Sequence, residues 1–380
     1  MSHPNEIEEL ALNQARQEQA KKYANARRCL TFAELALAGI LLLILVFGGL
    51  SVKLRELITL SAVPAATIYL VGLMVAYGVL SAPLSYYSGF VLPHRYGLSI
   101  QKLGGWLGDE AKTLMLGLVV GTGIVAAAYW FLTSFPAIWW LLTWGMVIAL
   151  SLILTNLAPI ILVPLFVKMK PLDDTELKLR LEQLAQQAQT RVRGVYAIEL
   201  GSKATTAYAA LMGLGNTRRI VLSDTLLQRY SPPEIEIIMA HELGHQLHGD
   251  IFRMFVIQSA ILLIGFYVVD LALRAITIPL GFDGISDVAA LPLLVLLFAT
   301  FSLVVAPLTN TYSRRLEVAA DDYALRLTEN PKSFINTMTK LADQNLSEAQ
   351  PSRWVELLTY DHPCYNKRIK HARYYSTKGG

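Results

Sequence analysis

Six stretches of this chain are long and oily enough to cross a lipid bilayer, and that constrains its fold more than any other feature. A helix needs roughly 20 apolar residues to traverse the hydrocarbon core, where each backbone polar group must be satisfied within the protein. Such stretches lie at about 30–52, 59–82, 112–133, 138–167, 254–278 and 288–308. The fourth is longer than a bilayer requires, so it is expected to tilt, or to break at Pro159 and Pro164. The fifth holds Asp270 and Arg274, four residues apart and able to pair on one helix face. Charged residues make up 16% of the chain, against about 25% in soluble domains. Lipid is the expected solvent for much of the molecule.

Lysines and arginines set the expected orientation. Lys21, Lys22, Arg27 and Arg28 precede the first span, Arg95 and Lys102 follow the second, Lys168 and Lys170 follow the fourth, and Arg314 and Arg315 follow the sixth. The connections 134–137 and 279–287 have no basic residue, and only Lys53 and Arg55 dissent. Both termini and the 168–250 region are therefore expected to be cytoplasmic. The expected order is a polar amphipathic helix (1–29), four spans (30–167), a polar part (168–253), a two-span hairpin (254–308) and a second polar part (309–380). The polar start is too long and acidic for a signal peptide. Net charge is +4 without a dense basic stripe, so nucleic acid is not an expected partner. Cys29 and Cys364 are too few and too distant for a disulfide framework.

The first polar part carries the chemistry. LDDTELKLRLEQLAQQAQTR reads as an amphipathic helix, GVYAIELG and ATTAYAALMG as strands, and RRIVLSDTLL as a strand running into a short helix. SPPEIEIIMAHELGHQLHGD then reads as a helix with prolines at its start. Within it His241 and His245 are four apart and share a face, with Glu242 beside the first. Two imidazoles gripping one metal ion, and a carboxylate able to take a proton from water beside it, are the parts of a zinc hydrolase. A third ligand is needed. His248 lies a turn further along, and a rise of about 1.5 Å per residue carries it away from an ion held by the other two. Glu317, with Asp321 four residues on, sits where a helix leaves the sixth span. Glu317 could bind metal while Asp321 orients a ligand histidine, or it could simply pair with Arg314 or Arg315.

Taken together these residues resemble the M48 zinc metalloproteases, in particular their integral-membrane Ste24-type branch, the CaaX prenyl proteases. HELGHQLHGD is similar to that family's HExxH helix, SRRLEVAAD to its glutamate helix, TAYAALMGLGNTRRIVLSDTLL to its edge strand and hairpin, and DHPCYNKRI to its C-terminal element. PLSYYSGFVLPHRYGLSIQKLGGWLGDEAK resembles a loop between two N-terminal spans. The resemblance implies a multi-span α-helical membrane protein with a small α+β zincin (gluzincin-like) domain at the cytoplasmic face. It implies one zinc ion per chain on His241, His245 and Glu317, with Glu242 as general base and then acid. Asp321 would support a ligand. His362 and Arg368 would steady the oxyanion or substrate backbone. Thr205, Thr206, Ala207, Tyr208, Ala209 and Ala210 would pair with an extended peptide.

Three departures stand out. Thr206-Ala207 replaces the family's usual Asn-Ala, six spans are found where eukaryotic members have seven, and a charged insertion before the HExxH helix is absent. The compact form is prokaryote-like, which would place it in the inner (plasma) membrane. The expected partner is a peptide or protein, prenylated or membrane-associated. Processing of CaaX C-termini and quality control of membrane proteins both fit. A transporter, or a scaffold with a structural metal, is the rival from another class. Spans two, three, four and six, however, are nearly free of the ionisable residues a transport path uses.

Overall fold

The computed structural model describes residues 10–213 and 215–378. The first residues of the expected N-terminal helix, 1–9, lie outside them. Helix α1 (Gln14–Phe47) begins at Asn13, whose side chain accepts from the Arg16 amide. It carries the polar N-terminal helix and the first span as one continuous rod. The expected span to residue 52 is cut short at Gly48 and Gly49, because Gly49 takes a left-handed φ of 67° and the chain turns into a short helix, Leu50–Glu56. Helix α2 (Ala62–Arg95) contains a π turn at Tyr87–Val91. Helix α3 (Leu103–Ser134) precedes α4 (Trp139–Phe166). The prolines of α4 do not break it; a π turn at Ala158–Leu162 absorbs Pro159.

A four-stranded mixed sheet follows. It contains β1 (Met169–Pro171), then β2 (Val195–Ile198) after helix α5 (Thr175–Gln187), then β3 (Ala209–Met212) and β4 (Arg219–Ser223). The order is β1-β2-β4-β3, with β2 and β4 parallel and β3 antiparallel to β4 at one edge. Helix α6 (Pro232–His248) opens with a capping box between Ser231 and Glu234 and a proline at its first position. Gly249, at φ +67°, ends it, and α7 (Asp250–Ile276) starts at once. Helix α8 (Leu291–Thr328) is an unbroken rod that leaves the membrane layer and continues beside α6. Helices α9 (Pro331–Gln344), α10 (Arg353–Thr359) and α11 (Tyr365–Lys378) complete the second polar part.

Two cores result. One joins sheet, α6, α8 and α9 through buried Ile220, Leu222, Met239, Leu243, Leu325 and Phe334. The other lies among the spans around Tyr129, Trp139, Phe266 and Leu273. There Asp270 meets its expected partner, accepting from Arg274 Nε at 2.8 Å, and also from Trp139 Nε1 at 2.6 Å. Among the described residues six helices are long and apolar enough to cross a membrane. Their outward faces expose Val119, Val304 and Leu308, each about 70% accessible, as lipid-facing side chains are.

Candidate metal centre and active site

Helices α6 and α8 approach closely because position 244 is glycine. A Cβ there would lie 3.2 Å from Ala320 Cα and 3.2 Å from Tyr323 Cβ. This contact sets the Nε2 ends of two histidines against a carboxylate. His241 Nε2 is 3.2 Å from Glu317 Oε2, and His245 Nε2 is 3.3 Å from Glu317 Oε1. One ligand atom from each of the three side chains falls within 4.8 Å of the others. Each ring is held from behind: His241 Nδ1 is 2.9 Å from Asp321 Oδ1, and His245 Nδ1 is 3.0 Å from Asp250 Oδ2. With both Nδ1 atoms engaged, both Nε2 atoms are left to face Glu317. Glu317 Oε2 is buried and makes no hydrogen bond of good geometry. Two Nε2 atoms, an orphaned carboxylate oxygen and supporting acids form a donor set suited to a divalent metal of zinc type.

Behind this centre Arg368 grips Asp321 with both arms of its guanidinium, Nε to Oδ2 at 2.8 Å and Nη2 to Oδ1 at 2.5 Å. Burial opposes a charge on His241, but the carboxylates of Asp321 and Glu317 against its two nitrogens outweigh it and lift the imidazole to about 9. His245 is raised in the same way: burial opposes the charge, while Glu317 and Asp250 favour it. His362, half-exposed at the rim, has Nε2 3.3 Å from Glu317 Oε1 and Nδ1 2.8 Å from Asp361. Glu242 faces a cleft of about 340 Å³ that it shares with Leu211, His245 and Glu317. The Tyr208 phenol is held above its usual value, first by burial and then by the charge of Glu242.

Two family descriptions match the chain end to end: "CAAX prenyl protease N-terminal, five membrane helices" over residues 2–168, and "Peptidase family M48" over residues 171–376. The chain belongs to peptidase family M48. It is a metalloendopeptidase embedded in a membrane. It is 32% identical over 361 residues to the "Uncharacterized metalloprotease YhfN" of Bacillus subtilis, covering 93% of this chain and 84% of the relative. It is 27% identical over 304 residues to a "CAAX prenyl protease 1 homolog" of Oryza sativa, covering 79% and 71%. The crystal structure of S. mikatae Ste24p has the same fold, with a TM-score of 0.84 at 23% identity over 95% of this chain and 90% of that one. The N-terminal match is to a family described by five membrane helices; the described residues of this metalloprotease have four in that region.

The structure gathers His241, His245, Glu317, Glu242, Asp321, His362 and Arg368 at one place. It differs from the sequence reading in two details. Arg368 spends its fork on Asp321 and so cannot offer that face to an oxyanion. The strand expected over Thr205–Ala210 runs from Ala209 to Met212. Thr205, Thr206, Ala207 and Tyr208 lie before it, and their main chain is already partnered. Gln344 Nε2 donates to Thr205 O (2.7 Å) and Thr225 Oγ1 to Thr206 O (2.6 Å). The Ala207 amide donates to Asn345 Oδ1 (3.0 Å) and the Ser223 amide to Tyr208 O (2.8 Å). Antiparallel alternation instead turns the amides and carbonyls of Ala209 and Leu211 away from β4, toward the open edge. His248 is not among the metal donors, and its ring lies 6.0 Å from that of Tyr323. Asp250 was missed. The signal was present, an acid two residues after His248 and directly after Gly249, but only the left-handed turn at Gly249 returns it to His245.

Proposed function

We propose that this metalloprotease holds one zinc ion per chain on His241, His245 and Glu317, and cleaves peptides at the cytoplasmic face of the cell membrane. The convergence of two Nε2 atoms and Glu317 beside an open cleft carries this reading. Zinc held there would supply Lewis-acid polarisation of the scissile carbonyl and would lower the pKa of an attacking water. Glu242, on the cleft wall, takes the proton from an attacking water and later delivers it to the leaving amine. Asp321 and Asp250 keep both imidazoles in the tautomer that presents Nε2, and Arg368 fixes Asp321. His362, at the rim, donates toward charge developing on the carbonyl oxygen. An extended peptide adds to the sheet along Ala209 and Leu211, with Tyr208 beside it. The basic residues flanking the spans support a cytoplasmic site and cytoplasmic termini.

The CaaX names of several relatives favour a lipidated C-terminal peptide as substrate. The reading is tested with purified protein carrying about one zinc per chain. Glu242→Gln should retain zinc and lose cleavage by about 10²- to 10⁴-fold. Undiminished cleavage would remove Glu242 from the mechanism. One peptide presented with and without a prenyl group decides the substrate class. Equal turnover of the two would favour membrane-protein quality control.

A further inference from the structure

Beside the catalytic cleft lies a second, larger cavity of about 700 Å³, between α4 and α7. Its walls are Val147, Ile148 and Leu152 of α4 and Phe252, Phe255 and Leu262 of α7. From Thr155 to Val147 on one side, and from Ile251 to Leu262 on the other, it runs roughly 12 to 16 Å along the helices. That direction leads from the polar part into the membrane layer. Toward its far end the two helices are tied by a hydrogen bond from Trp144 Nε1 to the Ser259 carbonyl at 2.9 Å. At the upper end stands Arg218, immediately before β4. Among the described residues no carboxylate pairs with Arg218, and its buried Nε has no hydrogen-bond partner. The groove and the cleft share His245, Gln246, Ile251 and Met254.

An apolar trough entering the bilayer, crowned by an unpaired guanidinium, matches a molecule with one hydrocarbon chain below and an anion above. We propose that this groove binds an anionic phospholipid of the surrounding leaflet, one acyl chain lying between α4 and α7 and the phosphate on Arg218. The planar fork of arginine suits phosphate oxygens, and a basic residue at the membrane surface favours anionic lipid. A lipidated C-terminal peptide would also place hydrocarbon in the trough, but it would bring a carboxylate, not a phosphate, to the guanidinium, and the test separates the two. The groove meets the metal centre only at His245 and shares a wall with its cleft, so the lipid borders the path of any substrate arriving from the bilayer.

The test uses the full chain, delipidated in detergent and titrated with phosphatidylglycerol or phosphatidylcholine while bound lipid is counted by native mass spectrometry. Phosphatidylglycerol should bind at one site per chain, about five- to tenfold more tightly than phosphatidylcholine. Inorganic phosphate should not displace it, because the chain contributes to binding. Arg218→Gln should erase the preference, Arg218→Lys should keep most of it, and Ser151→Trp, which fills the trough, should remove both lipids. Equal binding of the two lipids by the unaltered chain overturns the proposal whether or not any variant folds. So does a preference that survives Arg218→Gln, or displacement by phosphate alone. A farnesylated peptide whose binding depends on Arg218, where phosphatidylglycerol's does not, would assign the groove to substrate instead.

Discussion

Helix α8 passes through two solvents, and its halves obey opposite rules. In the first half, Leu303, Val304 and Leu308 are 59–70% exposed although they are apolar. In the second, Glu317 and Asp321 are buried although they are charged. Neither pattern suits a soluble helix. Lipid tails are as apolar as the side chains, so turning Val304 outward costs nothing, and inter-helix packing contributes what stability the spans have. Burying a carboxylate is costly unless it is paired. Asp321 meets that condition with Arg368 and His241; Glu317 meets it with two histidines and, when loaded, a metal ion. The first half is therefore tolerant of change, and the second is not.

Converting the second half to the chemistry of the first gives the largest expected effect. Glu317→Leu removes one of three donors while keeping the helix apolar and well packed. Bound zinc and proteolysis should both fall to background, read by metal analysis and peptide cleavage. Retention of one tightly held zinc per chain would mean that the ion sits elsewhere. Asp321→Asn is a smaller break. It keeps the volume but weakens the hold on His241 and leaves Arg368 without its anion. Zinc affinity should fall by about 10- to 100-fold, measured by competition with a chelator. Asp250→Asn should produce a loss of similar size through His245.

The sequence exposed these two halves unequally. Spans depend on length and oiliness alone, so all six, and the Asp270–Arg274 pair, could be read directly. His241, His245 and the i, i+4 pair Glu317 and Asp321 follow helical periodicity, which is local. What was not legible depends on turns and long-range contacts. Asp250 reaches His245 only through the left-handed turn at Gly249. Arg368 meets Asp321 across 47 positions of chain, and no spacing rule predicts a fork aimed at another carboxylate. The late start of β3 reflects side chains of Ser223, Thr225 and Asn345, which occupy main-chain groups that a strand pattern assumes are free.

Acidity sharpens the contrast, since only the charged half should respond. In the metal-free protein His241 is raised to about 9, above its ordinary 6.5. Its ion pairing therefore stabilises the fold fully below pH 6.5 and is lost as pH climbs through about 9. Zinc requires the neutral imidazole, so the proton is a competitor below that value. Zinc affinity should rise with pH by about tenfold per unit for each proton displaced, and level off above about pH 9. Calorimetry in two buffers of different ionisation heat counts the protons. A count of zero would show that the histidines are already neutral without metal.

The smallest expected effect lies at the other end of the same helix. Val304 is 70% exposed and faces the direction assigned to lipid. Truncation to alanine creates no cavity, because lipid tails fill the space, and it strands no polar group. Val304→Ala should change stability by less than about 0.5 kcal/mol and leave zinc content and cleavage unaltered. Unfolding in mixed micelles, followed by loss of helical signal, measures the first quantity. A cost of several kcal/mol would mean that Val304 is covered by protein in the membrane. The outward face of α8 would then be an interface between chains, and the contrast between its halves would be one of partners instead of solvents.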